Sequence, residues 1–539
     1  MKTLFRIAFP ILLLGCLLAA VSVTSSAAGL AEDSYYDLWV GGVAVNPLNE
    51  ADVLGDGTVS FDPTTFTLTL DGASVEGHVE KHGYLLSVYS DSEEKTTVVI
   101  KGTTSLAHGI RVATGEVKIE NADLTFSDKA MTAVILYGEE GDLTVTNSTV
   151  SITGSKVTSN DRNISMIHAK NIDLNASRLN ISYGVESKSV ISIVFATDKI
   201  TASGSTIRID QEIPSSYYAL YANKGMHFTD CTASFHAPMH ALYAPNGTVS
   251  LIRSRVEIDR GFYAMQAGGL VMEDAVFDAE VFYDGIYITA YETEDVDENT
   301  VSVKPTEITV TDSDTKVTQL AYKHLKSMLN ELWSQMSEDA RKQYGDNKET
   351  FLSQYAEDYS DSTAFTAGLR GFCTSVSVLR SSLDLSKFTL GIYATGTSTL
   401  YISEGSDVKL DAEQAAFVFF TNAANAVTVS DELRSSKDIY KTSVDGDLKS
   451  LGAFLYTYSG KRPSLDLGVA YSEDEDLFDA LSGVSDRLHF YPGSTFLLWL
   501  VLGIVGGVLL LGGILTIILL CVILSRPKAR YRKIKRPKR

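Results

Sequence analysis

Seven consecutive segments of the chain repeat one pattern of apolar and polar positions. Each reads apolar, any residue, apolar, four residues, apolar, any residue and usually another apolar. The first is anchored by Val117, Ile119, Leu124 and Phe126, and the last by Leu270, Met272, Phe277 and Ala279. The units start at Val117, Leu143, Ile172, Ile200, Met226, Val249 and Leu270, in steps of 26, 29, 28, 26, 23 and 21 residues. Alternation with period two predicts short strands that bury one face. A unit this short cannot bury its apolar side alone, so each stacks on the next. Between the two apolar pairs lies a small residue: Ala122, Ser148, Ser177, Ser205, Cys231, Ser254 or Ala275. A small side chain there suits a tight inward corner, which makes Cys231 a core residue and not a ligand or nucleophile.

A further strand closes each unit. It reads Leu136-Tyr137-Gly138, Ile167-His168-Ala169, Val194-Phe195-Ala196, Leu220-Tyr221-Ala222, Leu242-Tyr243-Ala244 and Met265-Gln266-Ala267. The expected fold is all-β, a single-stranded parallel β-helix with three short strands per turn and loops of variable length between them. A β-sandwich also supplies short strands, but would not hold one template through seven successive units. Weaker copies flank the array, from Val99-Ile100 to Leu106 before it and from Ile308 after it. Ile392-Tyr393-Ala394 and Phe419-Phe420-Thr421 read as later closing strands.

Between these copies the period changes. Leu320, Leu325, Met328, Leu329, Leu332, Trp333 and Met336 follow 3.6-residue spacing. Gly345 breaks the run, and Phe351, Leu352, Tyr355 and Tyr359 continue it. This predicts a helical hairpin inserted into the coil, either a lid packed on the strands or an arm for a partner.

The ends differ from the middle. Lys2 and Arg6, an apolar stretch from Ile7 to Val23 and Ser26-Ala27-Ala28 read as a secretory signal, with an uncleaved anchor as the alternative. Phe496 to Leu524 is a 29-residue uncharged run, long enough for a transmembrane helix. The tail after it carries nine Lys/Arg and no acid, which places the tail in the cytoplasm and the remainder outside. The expected location is therefore the cell membrane, single-pass. Gly503 and Gly507 are spaced for a helix-dimer face.

The expected organisation is a signal peptide at 1–28, a cap and first coil at 29–115 and the repeats at 116–317. The helical insertion follows at 318–370, resumed coils at 371–430, a membrane-proximal region at 431–495, the span at 496–524 and the tail at 525–539.

Charge narrows the partners. Setting aside two basic residues of the signal and nine of the tail leaves 35 Lys/Arg against 67 Asp/Glu, a balance of −32. Such a surface repels nucleic acid and anionic polymers. Four cysteines, two of them in apolar terminal segments, exclude a disulfide scaffold.

The segments Leu38-Trp39-Val40-Gly41-Gly42, Leu54-Gly55-Asp56-Gly57 and Phe66 to Ala73 open the coil. With the stretch from Val98 to Gly115, they resemble the opening of secreted and surface parallel β-helix proteins of anaerobic Gram-positive bacteria. That family is labelled carbohydrate-binding and has a pectin-lyase-like architecture. The resemblance covers roughly residues 36 to 290 and implies a right-handed coil and glycan binding. These residues are expected to form a hairpin capping an otherwise unpaired edge.

Candidate chemistry is sparse. No paired carboxylate motif recurs at coil spacing, and the Asn-Thr-Asp, Asp-Asp and Gly-His-Gly patterns of polygalacturonases are missing. Leu54 stands where a calcium loop built on Asp52, Asp56 and Asp62 would need an oxygen ligand. Asp295, Asp297 and Glu298 crowd a loop, as solvated residues or a weak calcium site. His78, His82, His108, His236 and His240 lack zinc spacing. No cofactor or metal is expected.

One constellation does suggest binding. The first residue of each closing triplet is aliphatic and must point inward, so the second points outward. That column is Tyr137, His168, Phe195, Tyr221, Tyr243 and Gln266, with Tyr287 further on. Stacked at about 4.8 Å per turn, it predicts an aromatic ladder on one face, suited to sugar rings. Its alternative use is to stabilise the stack or to lie under the hairpin. The leading expectation is a non-catalytic, membrane-anchored protein that binds glycan or a cell-surface protein. A structural or adhesive protein and a polysaccharide lyase or hydrolase are the rivals.

Overall fold

In a computed structural model, most of residues 35–420 are described, the main breaks being 127–135, 155–164, 184–191, 212–217, 296–300 and 354–365. Beyond them are the strands at 424–429, 433–435, 464–466 and 487–492. The predicted signal, membrane span, Gly503, Gly507 and basic tail lie outside the described residues, as do His82, Cys373, Asp297 and Glu298. No helix among the described residues is long and apolar enough to cross a membrane.

The protein is mainly β, built from short strands that pair in parallel with strands one turn further along the chain. The seven predicted starts pair directly: Val117 with Leu143, then Ile172, Ile200, Met226, Val249 and Leu270. This first sheet extends to Leu68 on one side and Val427 on the other. A second sheet aligns Leu124, Val150, Leu179, Ile207, Ala233, Val256 and Phe277. A third aligns the closing triplets. The inward residues of all three form one continuous core, with Ile119, Leu124, Val194, Leu220, Phe228 and Phe277 at 1% exposure or less. One register differs from expectation. Ile392 pairs with Phe417 and Ala394 with Phe419, so the later closing triplet is Phe417-Val418-Phe419.

The corner between the first and second sheets explains the small residue. The position before it has positive φ: 51° at Asn121, 48° at Asn147, 54° at Asp230 and 50° at Asp274. Asn, Asp and Gly tolerate this left-handed conformation best. The chain then turns sharply inward, and the small residue is buried. Its polar atom has a fixed task. The backbone N–H of Ser148 donates to Ser177 Oγ at 3.2 Å, and that of Ser177 to Ser205 Oγ at 3.0 Å. Ser205 N–H donates to Cys231 Sγ at 3.4 Å, and Cys231 N–H to Ser254 Oγ at 3.0 Å. Each Ser177-type hydroxyl donates in turn to a backbone carbonyl, here that of Asn175 at 2.7 Å. Cys231 is thus one rung of a serine ladder, and burial raises its thiol pKa. Ser177→Ala is expected to leave the buried Ser148 N–H without its acceptor and to cost about 1–3 kcal/mol. Urea unfolding of the variant checks this, and a loss under about 0.5 kcal/mol would remove the ladder's role.

Antiparallel strands stand at both ends of the stack. Leu38–Val40 pairs with Val43–Ala44 and lies along Tyr84–Ser90, and Val59–Asp62 pairs with Thr67–Asp71. At the far end Arg487–Pro492 runs antiparallel to Asp407–Asp411 and Leu433–Ser435. Parallel edges that would otherwise pair with another chain are thereby occupied.

A helical segment interrupts one turn between its second strand, Asp314–Gln319, and its third, Ala367–Phe372. Helix α1 spans Tyr322–Gln335, α2 spans Glu338–Lys342, and residues 348–353 are helical. Leu325, Met328, Leu329, Met336, Phe351 and Leu352 form a second core with Phe262 and Phe282, which the coil turns outward at a corner. The helical apolar face therefore packs on the coil.

Candidate functional site

Each rung of the outward column on the third sheet follows an inward aliphatic residue, so alternation fixes its direction. The register runs Tyr89, Arg111, Tyr137, His168, Phe195, Tyr221, Tyr243, Gln266, Tyr287, Arg370 and Tyr393. Tyr137 holds its place in the backbone register; its side chain lies outside the described residues. His168, Phe195, Tyr221, Tyr243 and Tyr287 are each half-buried.

The rings contact one another along the column. His168 and Phe195 meet edge to face at 4.7 Å between centroids. Phe195 and Tyr221 stack at 4.4 Å with planes 13° apart, and Tyr221 and Tyr243 at 5.3 Å and 26°. Rings this close and this parallel cannot lie side by side without atomic overlap, so their faces abut. The strip therefore turns ring edges and phenol hydroxyls outward, where the sequence led us to expect faces. Partial burial raises the pKa of the Tyr221 phenol, with a smaller push from Tyr243.

The structure adds a second column that the sequence did not reveal. Tyr218 and His240 occupy the position two residues before the inward Leu220 and Leu242, and Tyr263 the same position before Met265. Ala219, Ala241 and Ala264 between them are buried as well, so the strand departs from strict alternation there. Tyr218 packs on Tyr243 at 4.1 Å, His240 stacks on Tyr263 at 4.4 Å and 6°, and Tyr263 stacks on Tyr283 at 5.4 Å and 15°. Tyr263 and Tyr283 also border the helical core, so the inserted segment flanks the strip at its far end. Desolvation lowers the His240 pKa to about 4. Its Nδ1 is shielded from solvent and has no hydrogen-bond partner among the described residues.

Beyond Gln266 the ladder changes character. The Arg370 guanidinium lies between Tyr287 at 5.7 Å and Tyr393 at 5.0 Å, in cation–π range of both. Asp284 holds it: Arg370 Nε lies 2.8 Å from Asp284 Oδ2, and Nη2 donates to Oδ1 at 3.2 Å. The same Oδ1 accepts the Ala367 N–H at 2.7 Å. Burial pushes the Asp284 carboxyl pKa up, against the opposing pull of Arg370.

The other candidates fall apart as sites. Asp52 Oδ1 accepts the N–H groups of Gly55 and Gly57 at 2.9 and 3.0 Å, and Asp56 accepts Thr58. Asp62 accepts the Thr64 N–H. These carboxylates close turns. Asp295 lies in a small antiparallel pair with Val301. His78 and His108, distant in sequence, bring their rings to 4.5 Å. His236 belongs to the second sheet, away from His240. Among the described residues, no three His, Cys, Asp or Glu side chains are grouped to hold a metal. Comparison with protein-family models, with curated proteins and with solved structures gives no match to this chain.

Proposed function

We propose that the chain is a membrane-anchored extracellular protein whose stacked turns form a single-stranded right-handed parallel β-helix, and that it binds carbohydrate or a cell-surface partner without catalysis. The segment 496–524 would anchor it and the signal at the N-terminus would export it. The observation that carries the binding reading is the strip of half-buried rings on the third sheet, continuous from His168 to Tyr243 and widened by Tyr218 and His240. An apolar strip of this extent, left partly open and edged with hydroxyls, suits a ligand that is part apolar and part hydrogen-bonding. A purely structural or adhesive role is favoured by one feature: the ring faces already abut each other, so the ladder's stacking is complete without a ligand.

The test is a glycan array probed with the full chain in detergent micelles, alongside a Tyr221→Ala/Tyr243→Ala variant of matched melting temperature. Saccharide binding by the wild type, lost at least tenfold in the variant, is the expected result. Binding that the variant retains would remove the strip from the ligand site. No binding to any neutral or acidic glycan would favour the structural reading.

A further inference from the structure

The outer face of the second sheet carries an open groove of about 430 Å³. Its spine is one column in register over five successive turns: Arg208, Ser234, Glu257, Asp278 and Lys316. Along one side run Asp210, His236 and Asp259, with Glu280 two residues beyond Asp278. The groove crosses the strands, so an occupant would lie along the stack.

Most of the lining charge is already compensated. Arg208 pairs with Asp210 at 3.4 Å, and Arg255 with Glu257 at 2.5 Å. Asp259 lies 2.7 Å from His236 Nδ1 and 3.5 Å from Arg260 Nε. Arg260 Nη2 can only donate, and it lies 3.1 Å from His236 Nε2. In this arrangement Nε2 faces the Arg260 donor and Nδ1 faces the Asp259 carboxylate, so both ring nitrogens have partners. Three groups remain outside this network. Asp278, Glu280 and Lys316 make no ion pair or hydrogen bond among the described residues, although Asp278 and Lys316 are register partners on adjacent turns. Two acceptor carboxylates and one donor ammonium thus line the groove with no protein partner among the described residues.

The chemistry of an occupant follows from this set. With Arg255 and Arg260, which pair with Glu257 and Asp259, the groove sets four Lys/Arg against five Asp/Glu, a near balance that offers a polyanion no net attraction. A cationic chain would meet Arg208 at one end of the column and Lys316 at the other. An uncharged, hydroxyl-rich chain has neither conflict: its hydroxyls donate to Asp278 and Glu280 and accept from Lys316, and it brings no charge to desolvate. We propose that this groove binds a neutral oligosaccharide chain running along the stack. The proposal rests on the carbohydrate-binding reading above but not on the aromatic strip.

Calorimetric titration of the full chain in micelles with cellohexaose, xylohexaose and mannohexaose tests it, with hexagalacturonate as the acidic control. Asp278→Asn, Lys316→Met and the Tyr221→Ala/Tyr243→Ala pair are titrated in parallel, each at a melting temperature matched to the wild type. The expected result is a groove site for at least one neutral hexasaccharide, weakened at least tenfold by Asp278→Asn and by Lys316→Met, with any separate binding at the aromatic strip being the part that the tyrosine pair removes. Loss confined to the tyrosine pair would overturn the groove and leave the strip as the sugar site. Preference for hexagalacturonate would overturn the charge argument and with it the groove. No binding of any of these sugars would overturn both the groove and the carbohydrate reading.

Discussion

Replacing Arg370 with leucine is expected to destabilise the protein by about 3–5 kcal/mol at neutral pH, because it leaves a buried carboxylate without its cation. Asp284 is 7% exposed, and among the described residues its remaining hydrogen bond is one backbone N–H from Ala367. The loss has a defined place. Asp284 precedes the strand Ile286–Ile288 and Arg370 lies in Ala367–Phe372, strands that pair across the helical insertion. Amide exchange should therefore accelerate first in these two strands. Acid should relieve the variant. A carboxyl raised by burial binds its proton more readily folded than unfolded, so its cost is largest above the folded pKa and falls as pH drops through that value. The variant should accordingly regain stability relative to wild type on mild acidification. Asp284→Leu/Arg370→Leu should recover most of the loss, since an apolar pair carries no desolvation penalty. A single-variant loss below about 1 kcal/mol with no pH dependence would show that water reaches Asp284 once the guanidinium is gone.

How much of this was legible in the sequence depends on how strictly each stretch alternates. The anchors from Val117 to Leu270 alternate without exception, and all seven units pair in the register their spacing predicts. The column from His168 to Tyr243 follows from the same rule. The second column does not, because Ala219 and Leu220, like Ala241 and Leu242, are buried side by side. A strand with two adjacent inward residues shifts the position before them, and alternation alone misplaces Tyr218 and His240. Phe417-Val418-Phe419-Phe420 misled for a related reason: an unbroken apolar run gives no single inward phase. The corner serines were visible as small residues, yet their hydrogen-bond ladder depends on partners one turn away, between 23 and 29 residues distant for Cys231 and Ser148. Arg370 and Asp284 are 86 residues apart, with the helical insertion between them, and only the resumed register brings them together. The groove draws on five strands separated by loops of unequal length, so no local motif records it.

His240 should make the protein acid-sensitive in a window set by its own titration. The imidazole lies against Tyr263 at 4.4 Å, with Tyr218 and Tyr243 at 5.3 and 5.5 Å. Among the described residues nothing donates to or accepts from its shielded Nδ1, so a second proton would bring charge into a site where no described group pairs with it. Desolvation holds the folded pKa at about 4, below the ordinary 6.5. The sign follows from proton counts. Between these two values the unfolded chain binds a proton that the folded one does not, so stability falls as pH drops from about 6.5 to about 4 and then levels off. One group shifted this far contributes at most about 3 kcal/mol. His240→Phe keeps an aromatic ring in the stack and removes the titration. The expected outcome is a wild-type unfolding free energy that declines across this window and a variant in which the decline is smaller by up to that amount. Parallel pH profiles for the two proteins would show instead that the imidazole reaches water, and that the column around it opens on the timescale of the measurement.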